Sequence, residues 1–119
     1  MEKKMSRMQQ EYIERLQQRL DKLEKRFNEQ GYVAAGYGGD TYYCFVGKGH
    51  GFNGAALVPM SKYPVIFDAY QDAKCEAYNG IYKNGRNEVI ELEVIKAGDY
   101  FHRIHTMVER GLQTLKELL

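Results

Sequence analysis

The amino-acid sequence predicts an α+β protein, in which a small antiparallel β-sheet with one short helix is flanked by long N- and C-terminal amphipathic helices. Three observations lead there. Apolar residues recur at alternating three- and four-residue steps through residues 1–30 and again through 99–119, the spacing of a helix face. Between them lie short runs rich in aromatic and β-branched residues, cut by glycine, which read as strands. Near residues 68–79 the pattern returns to helical spacing. At 119 residues the chain is expected to be one domain with a core of its own.

In the first helix the stripe runs through Met5, Met8, Tyr12, Ile13, Leu16, Leu20, Leu23 and Phe27. That is the seam of a coiled coil or bundle. A lone helix has no second surface on which to bury such a stripe, so residues 1–30 read as an oligomerisation helix and the chain as a homodimer or higher oligomer. Glu11 with Arg15, and Asp21 with Lys25, are acid-before-base pairs at the supporting i, i+4 spacing. Gln30-Gly31 is the expected stop, because glycine takes the left-handed conformation of a C-cap.

The body, residues 31–98, begins with a hairpin. Tyr32–Tyr37 and Thr41–Val46 are joined through Gly38-Gly39-Asp40. In the second strand Tyr42, Cys44 and Val46 share one face and Tyr43 and Phe45 the other, so both faces are expected to be covered. A glycine-rich loop, Gly47–Gly54, precedes a third strand at Ala55–Val58, and Pro59 and Pro64 bracket a connector. Asp68 is the expected N-cap of the short helix, with Gln71 at the capping-box position, a small-residue face of Ala69, Ala73 and Ala77, and Asn79-Gly80 as the stop. Next, Ile81–Lys83, an Asn84-Gly85 type I′ turn and one strand from about Arg86 to Ile95 form a second hairpin, with Ile90, Leu92 and Val94 inward and Glu91 and Glu93 outward. Asp99 is the expected N-cap of the last helix, whose row is Phe101, Ile104, Val108, Gly111, Leu115 and Leu118, flanked by Tyr100, Met107, Leu112 and Leu119.

Composition narrows the function. No apolar run approaches the length of a membrane span, and Met-Glu-Lys-Lys-Met-Ser-Arg lacks the apolar core and cleavage site of a secretory signal, so cytoplasmic residence is the expectation. Cys44 and Cys75 then read as free thiols. Net charge is +1, with eight basic against six acidic residues in 1–30 and nine against ten beyond, which offers no global field for nucleic acid. Weak nucleic-acid binding through Lys3, Lys4 and Arg7 is a third-ranked reading, and it would show steep salt dependence.

The usual catalytic constellations are not evident. Ser6 stands on the exposed first helix, and neither cysteine has a context that lowers its pKa. His102 and His105 fall at i, i+3, but a zinc site needs more ligands than these, so one is expected to pack and the other to be solvated. No cofactor and no enzymatic activity are expected. In the loop Gly47–Gly54, freed amides with Lys48, His50 and Asn53 suit an anion, although the Gly-Lys pair lacks the Ser or Thr of a P-loop. Around the second hairpin, Tyr78, Tyr82, Arg86 and Asn87, followed by Tyr100 and Arg103, are the residue types of a nucleotide pocket: rings stack on bases and arginine forks phosphate. The same residues also suit a protein interface. The expectation is a non-enzymatic homo-oligomeric binder of a small anionic ligand, with an interaction scaffold as the rival. A pocket requires Arg86 and Arg103 to converge; a scaffold disperses them.

In size, and in its order of helix, strands and C-terminal helix, the chain resembles the phage-encoded anti-Thoeris proteins that sequester cyclic nucleotide signals as oligomers. The resemblance is one of layout. It implies a sponge that holds a cyclic ADP-ribose derivative without cleaving it, an anti-defence role, and Tyr78, Asn87 and Arg103 as the positions for stacking and phosphate contact.

Overall fold

The computed structural model describes residues 6–48, 55–78 and 82–118. In chain order these form α1 (Arg7–Glu24), β1 (Tyr32–Gly38), β2 (Thr41–Lys48), β3 (Ala55–Pro59), α2 (Tyr70–Tyr78), β4 (Tyr82–Lys83), β5 (Val89–Ile90), β6 (Glu93–Lys96) and α3 (Ala97–Leu118). The fold is mixed α+β with one antiparallel sheet, as the sequence predicts.

A capping box starts α1: the Gln9 amide donates to Ser6 Oγ at 3.2 Å, and the Ser6 amide donates to Gln9 Oε1 at 2.8 Å. The helix ends at Glu24, short of the expected Gln30, and turns carry the chain to Gly31, whose φ of +100° suits glycine. Glu11 pairs with Arg7 at 3.3 Å, and neither Glu11–Arg15 nor Asp21–Lys25 forms an ion pair.

Gly39-Asp40 is a two-residue turn between β1 and β2, and its register places Tyr37 opposite Tyr42. The far edge of β1 is shared. There β6 pairs with Tyr32–Ala35 and β5 with Gly38, so the single strand expected from Arg86 to Ile95 is two strands. Where the strand divides, the backbone of Glu91 crosses Gly36 so closely that a Cβ at residue 36 would overlap its carbonyl oxygen. The second hairpin also departs from expectation. Lys83 pairs with Val89, leaving a five-residue loop in which Asn84 Oδ1 accepts the amides of Arg86 and Glu88 and the left-handed residue is Asn87, φ +63°.

Strand alternation sorts the core into two layers. Val33, Ala35, Tyr42 and Cys44 face the long helices and pack with Leu23, Tyr100, Phe101 and Ile104. Ala34, Phe45, Ile90 and Leu92 face the opposite side, with Ala77 of α2. Both faces are therefore covered. Ala73 and Ala77 are buried as expected, but α2 begins at Tyr70, so Asp68 is not its N-cap and Ala69 lies outside the helix, exposed. Likewise α3 begins at Ala97, not after Asp99. The amides of Ala97 and Gly98 donate to the Gly31 and Glu29 carbonyls, which satisfies two free donors of the earlier helix start, and Asp99 lies within the first turn.

The largest correction concerns the first helix. Its stripe is buried within the chain, because α3 lies along it: Ile13 and Leu23 are buried, and Leu16, Leu20 and Phe27 pack on the same core. Only its start, Met8 and Tyr12, remains exposed among the described residues; Met5 lies outside them. The premise that this helix needs a second copy to bury its seam is withdrawn for most of its length. The helix layer also grips the connector after β3. Arg19 Nη2 donates to the Met60 carbonyl at 2.8 Å, Arg26 Nη1 to Lys62 at 2.8 Å and Tyr100 Oη to Ser61 at 2.7 Å. Arg26 meanwhile covers the Phe101 ring at 4.0 Å. No described helix is long and apolar enough to cross a membrane.

Candidate functional site

The β1–β2 register and the α3 period together build a cleft on the helix side of the sheet. Tyr42 is 2% exposed beneath α3, while Tyr37, its cross-strand partner, is 50% exposed, with ring centroids 4.9 Å apart. From α3, Arg103 reaches down to this pair. Its Nη1 donates to Tyr42 Oη at 3.0 Å and to Glu93 Oε1 of β6 at 3.2 Å. Three elements thus fix one guanidinium through one nitrogen. The N–H groups on Nη2 and Nε have no protein acceptor among the described residues. Burial opposes the Arg103 charge, but Tyr42 and Glu93 outweigh it and raise its pKa above the ordinary value, so the group stays cationic. Burial pushes the Tyr42 hydroxyl up, and Arg103 offsets part of that.

Around Arg103 lies a cleft of about 620 Å³ lined by Tyr37, His102, Thr106 and Arg110, with Asp99 and Met107 at its sides. The cleft is shallow and open to solvent along one side. A second cleft of about 420 Å³ shares Asp99 and Arg103 and adds Lys96 and the edge-to-face pair Tyr32–Tyr70, 5.6 Å between centroids. Arg103 therefore stands between two concavities, and its unpartnered edge can fork a phosphate or carboxylate.

The expected pocket residues are not brought together. Tyr100 is fully buried in the helix-side core, with its hydroxyl committed to Ser61 and its proton held far above the usual range, by burial first and then by Cys44. It cannot touch a ligand. Tyr82 packs on the α2 side and donates to the Glu76 carbonyl at 3.3 Å. Tyr78 is 74% exposed at the end of α2, and Arg86 and Asn87 are exposed in the hairpin loop, Asn87 serving its backbone turn. The sheet separates Tyr82 from Arg103, and neither cleft is lined by Tyr78, Tyr82, Arg86 or Asn87. The side chain of Lys48, and His50 and Asn53, lie outside the described residues. Of the expected residues that are described, only Arg103 lines the clefts.

The sequence reading missed Tyr37 and Arg110, which line the cleft, and Tyr42 and Glu93, which hold Arg103 beside it. For the tyrosines the hairpin was expected with Gly38 in its turn; Gly38 instead ends β1 and pairs with Thr41, and the two-residue turn Gly39-Asp40 sets Tyr37 opposite Tyr42. Seven-residue spacing likewise puts Arg103 and Arg110 on one face of α3. Of the two α3 histidines, His105 is buried and its Nε2 lies 3.1 Å from Glu24 Oε1, while His102, on the cleft, is exposed, its ring centroid 4.8 Å from that of Phe27. Ser6 caps α1, and Ser61 Oγ accepts the Tyr63 amide. Cys44, buried, and Cys75, exposed, are both free thiols, the former pushed up by burial. Among the described residues no group of His, Cys, Asp and Glu is placed to hold a metal ion. Compared with protein-family models, curated proteins and solved structures, the chain matches none.

Proposed function

We propose that this chain is a non-enzymatic binder of a small anionic ligand with a planar aromatic part, held in the cleft at Arg103. The observation that carries the reading is the state of Arg103: one nitrogen is anchored by Tyr42 and Glu93, and the opposite edge is left free beside the half-exposed Tyr37 ring. Anchoring lowers the ordering cost of forming a bidentate contact to phosphate. Tyr37 supplies a stacking face, and Arg110 a second positive charge on the same side of α3. A nucleotide-derived signal satisfies this chemistry. The resemblance in layout to the anti-Thoeris sponges names the compound to try first, a cyclic ADP-ribose derivative, and with it a sequestering, anti-defence role.

Calorimetric titration with cyclic ADP-ribose and with AMP tests the reading. Saturable binding is expected, weakened by about 10- to 100-fold in Arg103→Ala, the worth of a charge-assisted hydrogen-bond pair. Tyr37→Ala is expected to weaken it by about tenfold through lost stacking. Arg86→Ala leaves it unchanged. Binding that survives Arg103→Ala and is lost in Arg86→Ala sinks the proposal. A second reading, a protein-interaction scaffold, is favoured by one observation: Tyr78, Arg86 and Asn87 stand exposed and apart from the cleft. A protein with no affinity for either probe, or for any nucleotide in a cell extract, moves the choice to that scaffold.

A further inference from the structure

On α3 the helical period puts Met107, Gly111, Leu115 and Leu118 on one face, the continuation of the face through which Tyr100 and Ile104 are buried. Beside Met60, where the connector starts, that face opens into an apolar groove of about 390 Å³. Leu118 is 76% exposed there, and Tyr12, across the groove, is 54% exposed; Met8, one turn before Tyr12 on α1, is 81% exposed.

Two features show what fits it. A Cβ built at Gly111 meets no atom within 4 Å, so the apolar row carries a notch facing open space. Beside the notch, Arg110 and Glu117 lie two turns apart on one flank, both exposed and neither in an ion pair among the described residues. That flank is complementary to itself. When a second α3 lies antiparallel about a twofold axis near residues 113–114, each Arg110 faces the other copy's Glu117. The same alignment sets each Gly111 against Leu115 and Leu118 of the other copy. A parallel pairing would instead set this flank against the opposite flank of the other helix and would leave Arg110 and Glu117 without each other.

We infer that the chain forms an isologous dimer through antiparallel α3 helices, the apolar row of one copy seated in the glycine notch of the other. Reciprocal Arg110–Glu117 pairs close it, and Tyr12 and Met8 of α1 cover its margins. Because Arg110 also lines the 620 Å³ cleft, the second copy's Glu117 reaches the edge of that site. The dimer itself does not depend on the ligand reading.

Light scattering on the full chain during size-exclusion chromatography decides the matter. The wild type is expected at twice its 13.8 kDa mass. Glu117→Arg is expected to weaken the dimer by about tenfold or more, because it sets like charges against each other. Arg110→Glu combined with Glu117→Arg is expected to restore it. Both positions are exposed, and circular dichroism confirms that the variants fold. A monomeric wild type at the highest soluble concentration overturns the inference. So does a dimer indifferent to Glu117→Arg, or one that the double swap fails to rescue.

Discussion

The two halves of the α1–α3 pair carry the same apolar spacing and meet different environments. Over the sheet, Leu23, Phe101 and Ile104 are almost wholly buried, and arginine and tyrosine side chains of the same helices hold the carbonyls of residues 60–62. Beyond the sheet, the row continues through Leu115 to Leu118 and is open. Periodicity reports which face is apolar. It does not report where the covering layer ends.

The largest expected effect probes the covered half. Phe101→Ala leaves a void beneath the Arg26 guanidinium and is expected to cost about 3–5 kcal/mol in chemical denaturation. A loss below about 1 kcal/mol would mean that the sheet-covered half is not the packed core described. Next comes Tyr100→Phe, which keeps the ring and deletes the hydroxyl bonded to Ser61; about 1 kcal/mol is expected at neutral pH. The same variant tests a pH dependence. Burial raises the pKa of Tyr100 and Tyr42 in the folded protein, whereas unfolded tyrosine ionises near about pH 10. Their contribution is therefore fully present below that value and falls as pH rises above it, because the unfolded chain releases protons that the folded chain keeps. Tyr100→Phe should reduce the alkaline slope by about one proton, roughly 1.4 kcal/mol per pH unit. The smallest effect belongs to the open half, where Leu118→Ala in the same helix row should change monomer stability by no more than about 0.5 kcal/mol. An equal cost at Phe101 and Leu118 would erase the difference between the halves.

The fold was legible where a local rule had no competitor. The hairpin around Gly38-Gly39-Asp40, the alternation of Tyr42 and Cys44 against Tyr43 and Phe45, and the helix faces all follow from short-range geometry, although the turn itself is Gly39-Asp40 alone. Reading failed where a distant segment bears on an element's bounds. Carbonyls of Glu29 and Gly31 take the amides of Ala97 and Gly98, so α3 starts ahead of Asp99, and the Glu91 backbone lies against Gly36 where the last strand divides. The site failed for the same reason. Tyr82, Arg86 and Tyr100 are near one another in sequence, yet alternation and the hairpin send them to one side of the sheet, to a loop tip and into the opposite core. Arg103 instead meets Tyr42, sixty-one residues away, a pairing that only the assembled layers produce.

Native mass spectrometry of the purified chain after incubation with cell nucleotide extract tests the claim that Arg103 anchors an anionic ligand, and it reads assembly in the same spectrum. A stoichiometric adduct of nucleotide mass is expected on the wild type, retained on Glu117→Arg and absent from Arg103→Ala. An extract that leaves no adduct on the wild type, or an adduct that persists in Arg103→Ala, contradicts the account.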